Sequence, residues 1–157
     1  MLDPIADKAM VIIALAVLLG LSGLNPLIVV PVTLILFREI FVSGLREFLG
    51  EDAGRLAVTK LAKWKTMAQM AAIVALLLTG IFQLQIEAIY YANDPAEFDA
   101  ILRGAQEDTL GLLGLSQRYD VALWVGLGLI WVAGILTLLT GVDYFGKALP
   151  YLAEEQE

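Results

Sequence analysis

Arg38-Glu39-Ile40-Phe41-Val42-Ser43-Gly44-Leu45-Arg46-Glu47 continues, without any turn signal, an apolar run that extends from Pro26 to Phe37. One helix therefore carries both the greasy segment and four charges. At 1.5 Å per residue, Arg38 lies about 18 Å along that helix from Pro26, short of a bilayer core of roughly 30 Å. Ionisable side chains at such depth face a protein interior or a watery cavity and mark a site. Snorkelling of Arg38 and Arg46 to the headgroups is the plain alternative. Glu39, Ser43 and Glu47 recur at i, i+4, i+8 with Arg46 beside them, so one face gathers both signs and a hydroxyl. A lipid-facing surface would not tolerate that face.

Hydrophobic residues make up 59% of the 157-residue chain, above the roughly 45–50% of ordinary soluble domains. The chain reads as an integral membrane protein. Long runs of Leu, Ala, Val and Ile, with 14 Gly and only 5 Pro, suit transmembrane helices better than alternating barrel strands. Cysteine is absent, which excludes disulfides, thiolate metal sites and a cysteine nucleophile. Histidine is absent too, so a general base must be a carboxylate or Lys, and a metal would be held by oxygen. The net charge of -7 argues against nucleic acid as a partner. Asp3 and Asp7 stand where the basic start of a signal peptide would be.

Asp3-Pro4 predicts a helix start, with Asp3 at the N-cap and Pro4 at the first helical position, where its missing N–H costs nothing. The first span is expected from about Lys8 to Leu24, and Gly20, Gly23, Asn25 and Pro26 mark a tight, uncharged turn. The second runs from Pro26 to about Leu49. Gly50-Glu51-Asp52-Ala53-Gly54-Arg55 opens a polar connector to Lys65, whose apolar positions Leu56, Val58, Leu61 and Trp64 fit a short interfacial helix. A third span is expected from Thr66 to about Gln85. In the long polar segment from Glu87 to Asp120, Asp94-Pro95-Ala96-Glu97 predicts a capped helix with Phe98, Ile101 and Leu102 on one face. The fourth span runs from Val121 to about Val142, before an acidic tail. With no internal repeat, residues 1–157 read as a single all-α domain, a polytopic membrane bundle of four transmembrane helices.

Of ten Lys and Arg, six fall between Arg38 and Lys65, whereas the segment from Glu87 to Asp120 has two against seven acids. The positive-inside rule then puts the 38–65 region in the cytoplasm and makes 87–120 an extracytoplasmic insertion. Asp3, Asp7, Arg38, Arg46, Lys60, Lys63 and Lys65 all meet at the cytoplasmic face. Asp3 and Asp7, at i and i+4, share a helical face and suit Mg²⁺ or Mn²⁺ and the activation of a hydroxyl. Capping and favourable placement at the positive helix end explain the same pair without chemistry. Arg38, Arg46 and the cluster Lys63-Trp64-Lys65-Thr66 suit a phosphate-bearing substrate, although attraction to anionic headgroups accounts for some of these cations. Together the two sets suggest phosphoryl transfer to or from a lipid.

Leu2-Asp3-Pro4-Ile5-Ala6-Asp7-Lys8 resembles the end of the signature of the CDP-alcohol phosphatidyltransferases, D-x-x-D-G-x-x-A-R-x8-G-x-x-x-D-x-x-x-D, with Asp3 as its third aspartate and Asp7 as its fourth. The stretch 38–47, Lys63-Trp64-Lys65-Thr66 and Gly141-Val142-Asp143-Tyr144 are similar to the bacterial members that use sn-glycerol 3-phosphate. The resemblance covers most of the chain, and 38–47 is its specific part. It implies transfer of a phosphatidyl group from CDP-diacylglycerol to glycerol 3-phosphate, releasing CMP, in the bacterial inner membrane with the active-site face cytoplasmic. Asp3 would ligate metal, Asp7 would ligate metal or deprotonate the attacking hydroxyl, and Arg38, Arg46 and Lys63 would hold the acceptor phosphate. The family has six membrane helices and is often dimeric, so the four spans correspond to its third to sixth, and a homodimer is expected. Neither D-x-x-D-G nor A-R occurs in this sequence. The expectation is of a member without the family's first two helices and half its metal site, from a misplaced start or a truncated product, with little activity in this form. Transfer to serine or inositol is the alternative within the family, and a non-catalytic helical membrane subunit the alternative outside it.

Overall fold

The computed structural model describes the backbone of residues 3–50 and 61–154; the side chains of 3–5, 7, 61–63 and 152–154 lie outside the described residues. Five helices follow in order: α1 (Asp3–Leu21), α2 (Pro26–Leu49), α3 (Leu61–Ala92), α4 (Pro95–Leu102) and α5 (Leu112–Glu154). No strand occurs among the described residues.

Three helices are long and apolar enough to cross a membrane, over Pro26–Leu49, Trp64–Ala92 and Leu112–Tyr151. The expected first span is shorter, apolar over Lys8–Leu21. It stops before Leu24 because Gly23 and Leu24 take φ values of 58° and 62°, which a right-handed helix does not admit. Asn25 then caps α2, its Oδ1 accepting from the Leu27 N–H at 3.0 Å, with Pro26 at the first helical position.

α2 has the expected bounds, whereas α3 and α5 are longer than expected. The 32 residues of α3 and the 43 of α5 extend roughly 48 and 64 Å, beyond a hydrocarbon core of roughly 30 Å. The expected interfacial helix falls mostly on residues 51–60, which lie outside the described residues; residues 61–65 form the start of α3, with Trp64 exposed. The polar segment from Glu87 to Asp120 is also mostly helical, as the end of α3, α4 and the start of α5. Asp94 caps α4 by accepting from the Ala96 N–H at 2.9 Å. Phe98 and Ile101 pack against Leu112, Ile86 and Ile89, and the Tyr90 and Phe98 rings meet edge to face at 5.2 Å. Leu102, expected on the same face, is 47% exposed, since the helix ends there and the chain turns away through Gly104 at φ 70°.

Pairings along the helices fix their directions. Leu27 meets Trp131, Pro31 meets Gly134 and Arg38 meets Gly141, so α2 and α5 are parallel. Leu76 lies against Gly126, and Ile86 and Ile89 pack near Leu112, so α3 is antiparallel to α5. Small residues permit this closeness: a Cβ at Gly126 would stand 2.6 Å from Leu76 Cγ. The core joins Leu15 and Leu18 of α1, Val32 and Ile35 of α2, Ala72 and Leu76 of α3, and Leu127 and Ile130 of α5. The result is a helical membrane bundle of α1, α2, α3 and α5, three of them long enough to span rather than the four expected, with α4 as a small cap at one end.

Candidate functional site

On α2 the buried residues Ile28, Val32, Ile35 and Val42 form one stripe, and Glu39 falls within it at helical spacing. On α3 the stripe of Ala72, Ile73 and Leu76 extends backwards through Gln69 to Lys65, each 4% exposed. Where the two stripes meet, Lys65 Nζ donates to Glu39 Oε1. Arg38 Nη1 donates to the same oxygen at 3.1 Å. Lys8 of α1 completes the group, donating to Ser43 Oγ at 2.6 Å, while Ser43 Oγ donates to the Glu39 carbonyl at 2.6 Å.

Two cations thus engage the Glu39 carboxylate and a third, Lys8, stands beside it through Ser43, so the cluster is net positive. A cleft of about 60 Å³ opens on it, lined by Lys8, Val11, Ile12, Glu39, Thr66 and Gln69. That is room for about two waters, enough for a small polar group at the edge of the cluster. Neutralising one cation with Glu39 makes the interior tolerable, and the excess positive charge leaves capacity for an anion. Arg38 Nε, buried and without a hydrogen-bond partner, is unused donor capacity in the same place.

The candidates named from sequence separate in the structure. Arg38 belongs to the cluster, wedged against α5 where a Cβ at Gly141 would lie 3.0 Å from its Cγ. Arg46 lies apart, its guanidinium 5.1 Å from the centre of the Tyr144 ring, a cation–π contact with α5. Glu47 is exposed, so the expected face of both signs is made by Glu39 and Ser43 with Lys8 and Lys65. Asp3 and Asp7 occupy the first turns of α1, one turn before Lys8 and within it, and Lys63 occupies the first turn of α3; these three side chains lie outside the described residues. Among the described residues, no group of three or more acidic side chains is placed to hold a metal ion.

The sequence marks Glu39 as a charge of the site face without giving it a role, leaves out Lys8, and names Lys63 for the phosphate where the structure brings Lys65 to Glu39. The signal for Lys65 was present: following the apolar stripe of α3 back by 3.6-residue steps leads to position 65 and not to 63.

Residues 1–93 match the family model described as CDP-alcohol phosphatidyltransferase. The CDP-diacylglycerol–glycerol-3-phosphate 3-phosphatidyltransferase of Cereibacter sphaeroides is 55% identical over 157 residues, covering 99% of this chain and 71% of its own. The protein of the same name from Rickettsia bellii is 34% identical over 151 residues, 96% of this chain and 63% of its own. The one from Haemophilus influenzae is 35% identical over 121 residues, 71% of this chain and 65% of its own. The chain thus spans about two thirds of the length of these relatives. No solved structure matches.

Proposed function

Because the chain belongs to the CDP-alcohol phosphatidyltransferase family, we propose that it is a transferase of phospholipid biosynthesis that makes phosphatidylglycerophosphate. The acceptor hydroxyl of glycerol 3-phosphate attacks the phosphorus bearing the diacylglycerol of CDP-diacylglycerol. An oxygen–phosphorus bond forms, the diphosphate bond breaks and CMP leaves. The names of the relatives support the two substrates, and the observation that carries the reading is the cationic cluster of Lys8, Arg38 and Lys65 around Glu39.

In this reading Asp7, adjacent in sequence to Lys8 of the cluster, accepts the hydroxyl proton. Arg38, Lys65 and Lys8 attract the acceptor's phosphate, with Arg46 and Lys63 at the rim. Glu39 holds Arg38 and Lys65 in place and keeps the cluster from rejecting the cations into the headgroups. Asp3 and Asp7, one helical turn apart, suit a divalent cation such as Mg²⁺ or Mn²⁺, which binds through one or two carboxylates plus substrate phosphates. When bound it supplies charge neutralisation to the diphosphate. The basic 38–65 region favours a cytoplasmic site in a bacterial inner membrane, and a homodimer is the assembly the family likeness suggests.

The test is incorporation of labelled glycerol 3-phosphate into lipid by the purified chain in vesicles containing CDP-diacylglycerol, with CMP release and thermal stabilisation by glycerol 3-phosphate followed in parallel. Serine and inositol serve as competing acceptors. Incorporation, or stabilisation lost in K65Q and R38Q, supports the reading. Neither incorporation nor stabilisation, or preference for serine or inositol, rejects it.

A further inference from the structure

At the end of the bundle opposite Glu39, α3 and α5 leave a groove of about 430 Å³, lined by Phe82, Val121, Ala122 and Val125 among others, with Gln117 and Arg118 at its head. Its walls belong to helices long and apolar enough to cross a membrane, so within a bilayer its length faces hydrocarbon and its head lies where α5 turns polar. Arg118 is exposed and has no ion-pair or hydrogen-bond partner among the described residues. The other cation on this side, Arg103, is engaged by Asp99 at 3.5 Å. A solvated guanidinium needs no partner, but this one stands directly over an apolar trough, in a region where acids otherwise prevail.

We propose that the groove binds one anionic phospholipid from the leaflet opposite the candidate active site. The lipid phosphate meets the Arg118 guanidinium and the Gln117 amide, and one acyl chain lies along Phe82, Ala122 and Val125. The two halves of the site match the two halves of such a molecule: a charged head at the interface and an apolar chain below it. A zwitterionic lipid would fill the groove but offer the cation a compensated charge.

The experiment counts lipids retained by the full chain in native mass spectrometry, after purification with equal phosphatidylglycerol and phosphatidylcholine. The expected result is preferential retention of one phosphatidylglycerol. R118Q, at an exposed and unpartnered position, should lower that preference about fivefold, and A122W should lower retention of both lipids. Equal retention of the two lipids by the unaltered chain, or undiminished preference in R118Q, overturns the proposal. The chain has no cysteine, so A122C provides a single thiol; efficient disulfide-linked dimers of A122C in vesicles would mean that a second copy occupies the groove, which also overturns it.

Discussion

Trp131 donates its indole N–H to the Leu27 carbonyl across the α5–α2 contact, at 3.0 Å. That carbonyl is one the helix cannot satisfy by itself, because the residue four positions on is Pro31, which has no N–H. Within a bilayer no water is at hand to replace the lost donor. Trp131→Phe should therefore destabilise the bundle by about 1 kcal/mol, read as a lower midpoint of thermal unfolding in detergent. Pro31→Ala should reduce the cost of W131F, since it gives Leu27 a helical donor again, and equal costs in the two backgrounds would refute this account.

Glu39 and Lys65 form a pair held between consecutive spans, with side chains 18% and 5% exposed. Removing one partner strands the other, so Glu39→Gln should cost about 3–5 kcal/mol, as broken buried pairs do. The double variant E39Q/K65Q should be more stable than E39Q alone. Unfolding in a denaturing detergent measures both, and a simple sum of the two single effects would count against the pairing.

Gly141 gives Arg38 its room. Gly141→Ala places a methyl 3.0 Å from Arg38 Cγ, and the side chain, being flexible, gives way before the backbone does. The expected outcome is a bundle of near-normal stability with weaker glycerol 3-phosphate stabilisation, by roughly the factor of 10 that a lost charge-assisted hydrogen bond represents. Gly128→Ala, where a Cβ meets nothing within 4 Å, is the control and should change neither quantity.

Asp108 accepts from the backbone N–H groups of Leu112 and Leu113, each at 2.9 Å, at the start of α5. Slight loss of hydration pushes its carboxyl upward, but the N–H groups of Leu113, Leu112, Leu110 and Gly111 outweigh this and hold it below the ordinary carboxylate value. A depressed pKa gives stability that is present above the unfolded value of about 3.9 and lost as pH falls through the folded one. Asp108→Ala should thus be less stable at pH 7, and its deficit should shrink below about pH 4. A deficit unchanged by pH would leave the charge of Asp108 without a role.

Much of the architecture could be read from the chain because hydrophobic runs and caps are local. Pro26, Asn25 and Asp94 sit where expected, and α2 ends at Leu49 as the glycine at position 50 suggests. What escaped depends on contacts between helices. Within the polar segment the capped helix with Phe98 and Ile101 on one face is legible in the sequence, whereas its seat against Leu112, Ile86 and Ile89 is not. The helical spacing sets Arg46 beside the face of Glu39, Ser43 and Glu47, but its contact with Tyr144 of α5 is a pairing between helices that the spacing does not disclose. Pro31, in the middle of an apolar run, was itself a signal that some other helix must supply a donor.

The parallel course of α2 and α5 sets an order for assembly during synthesis. Glu39 and Lys65 lie on successive spans and can neutralise each other as soon as the second of these leaves the insertion machinery. Arg38 gains the wall around Gly141 only when the last long helix enters. The cleft beside Glu39 is lined by α1, α2 and α3 alone, so a nascent protein stopped before α5 should already hold its charges and that cleft together, and gain from α5 only the wall that fixes Arg38.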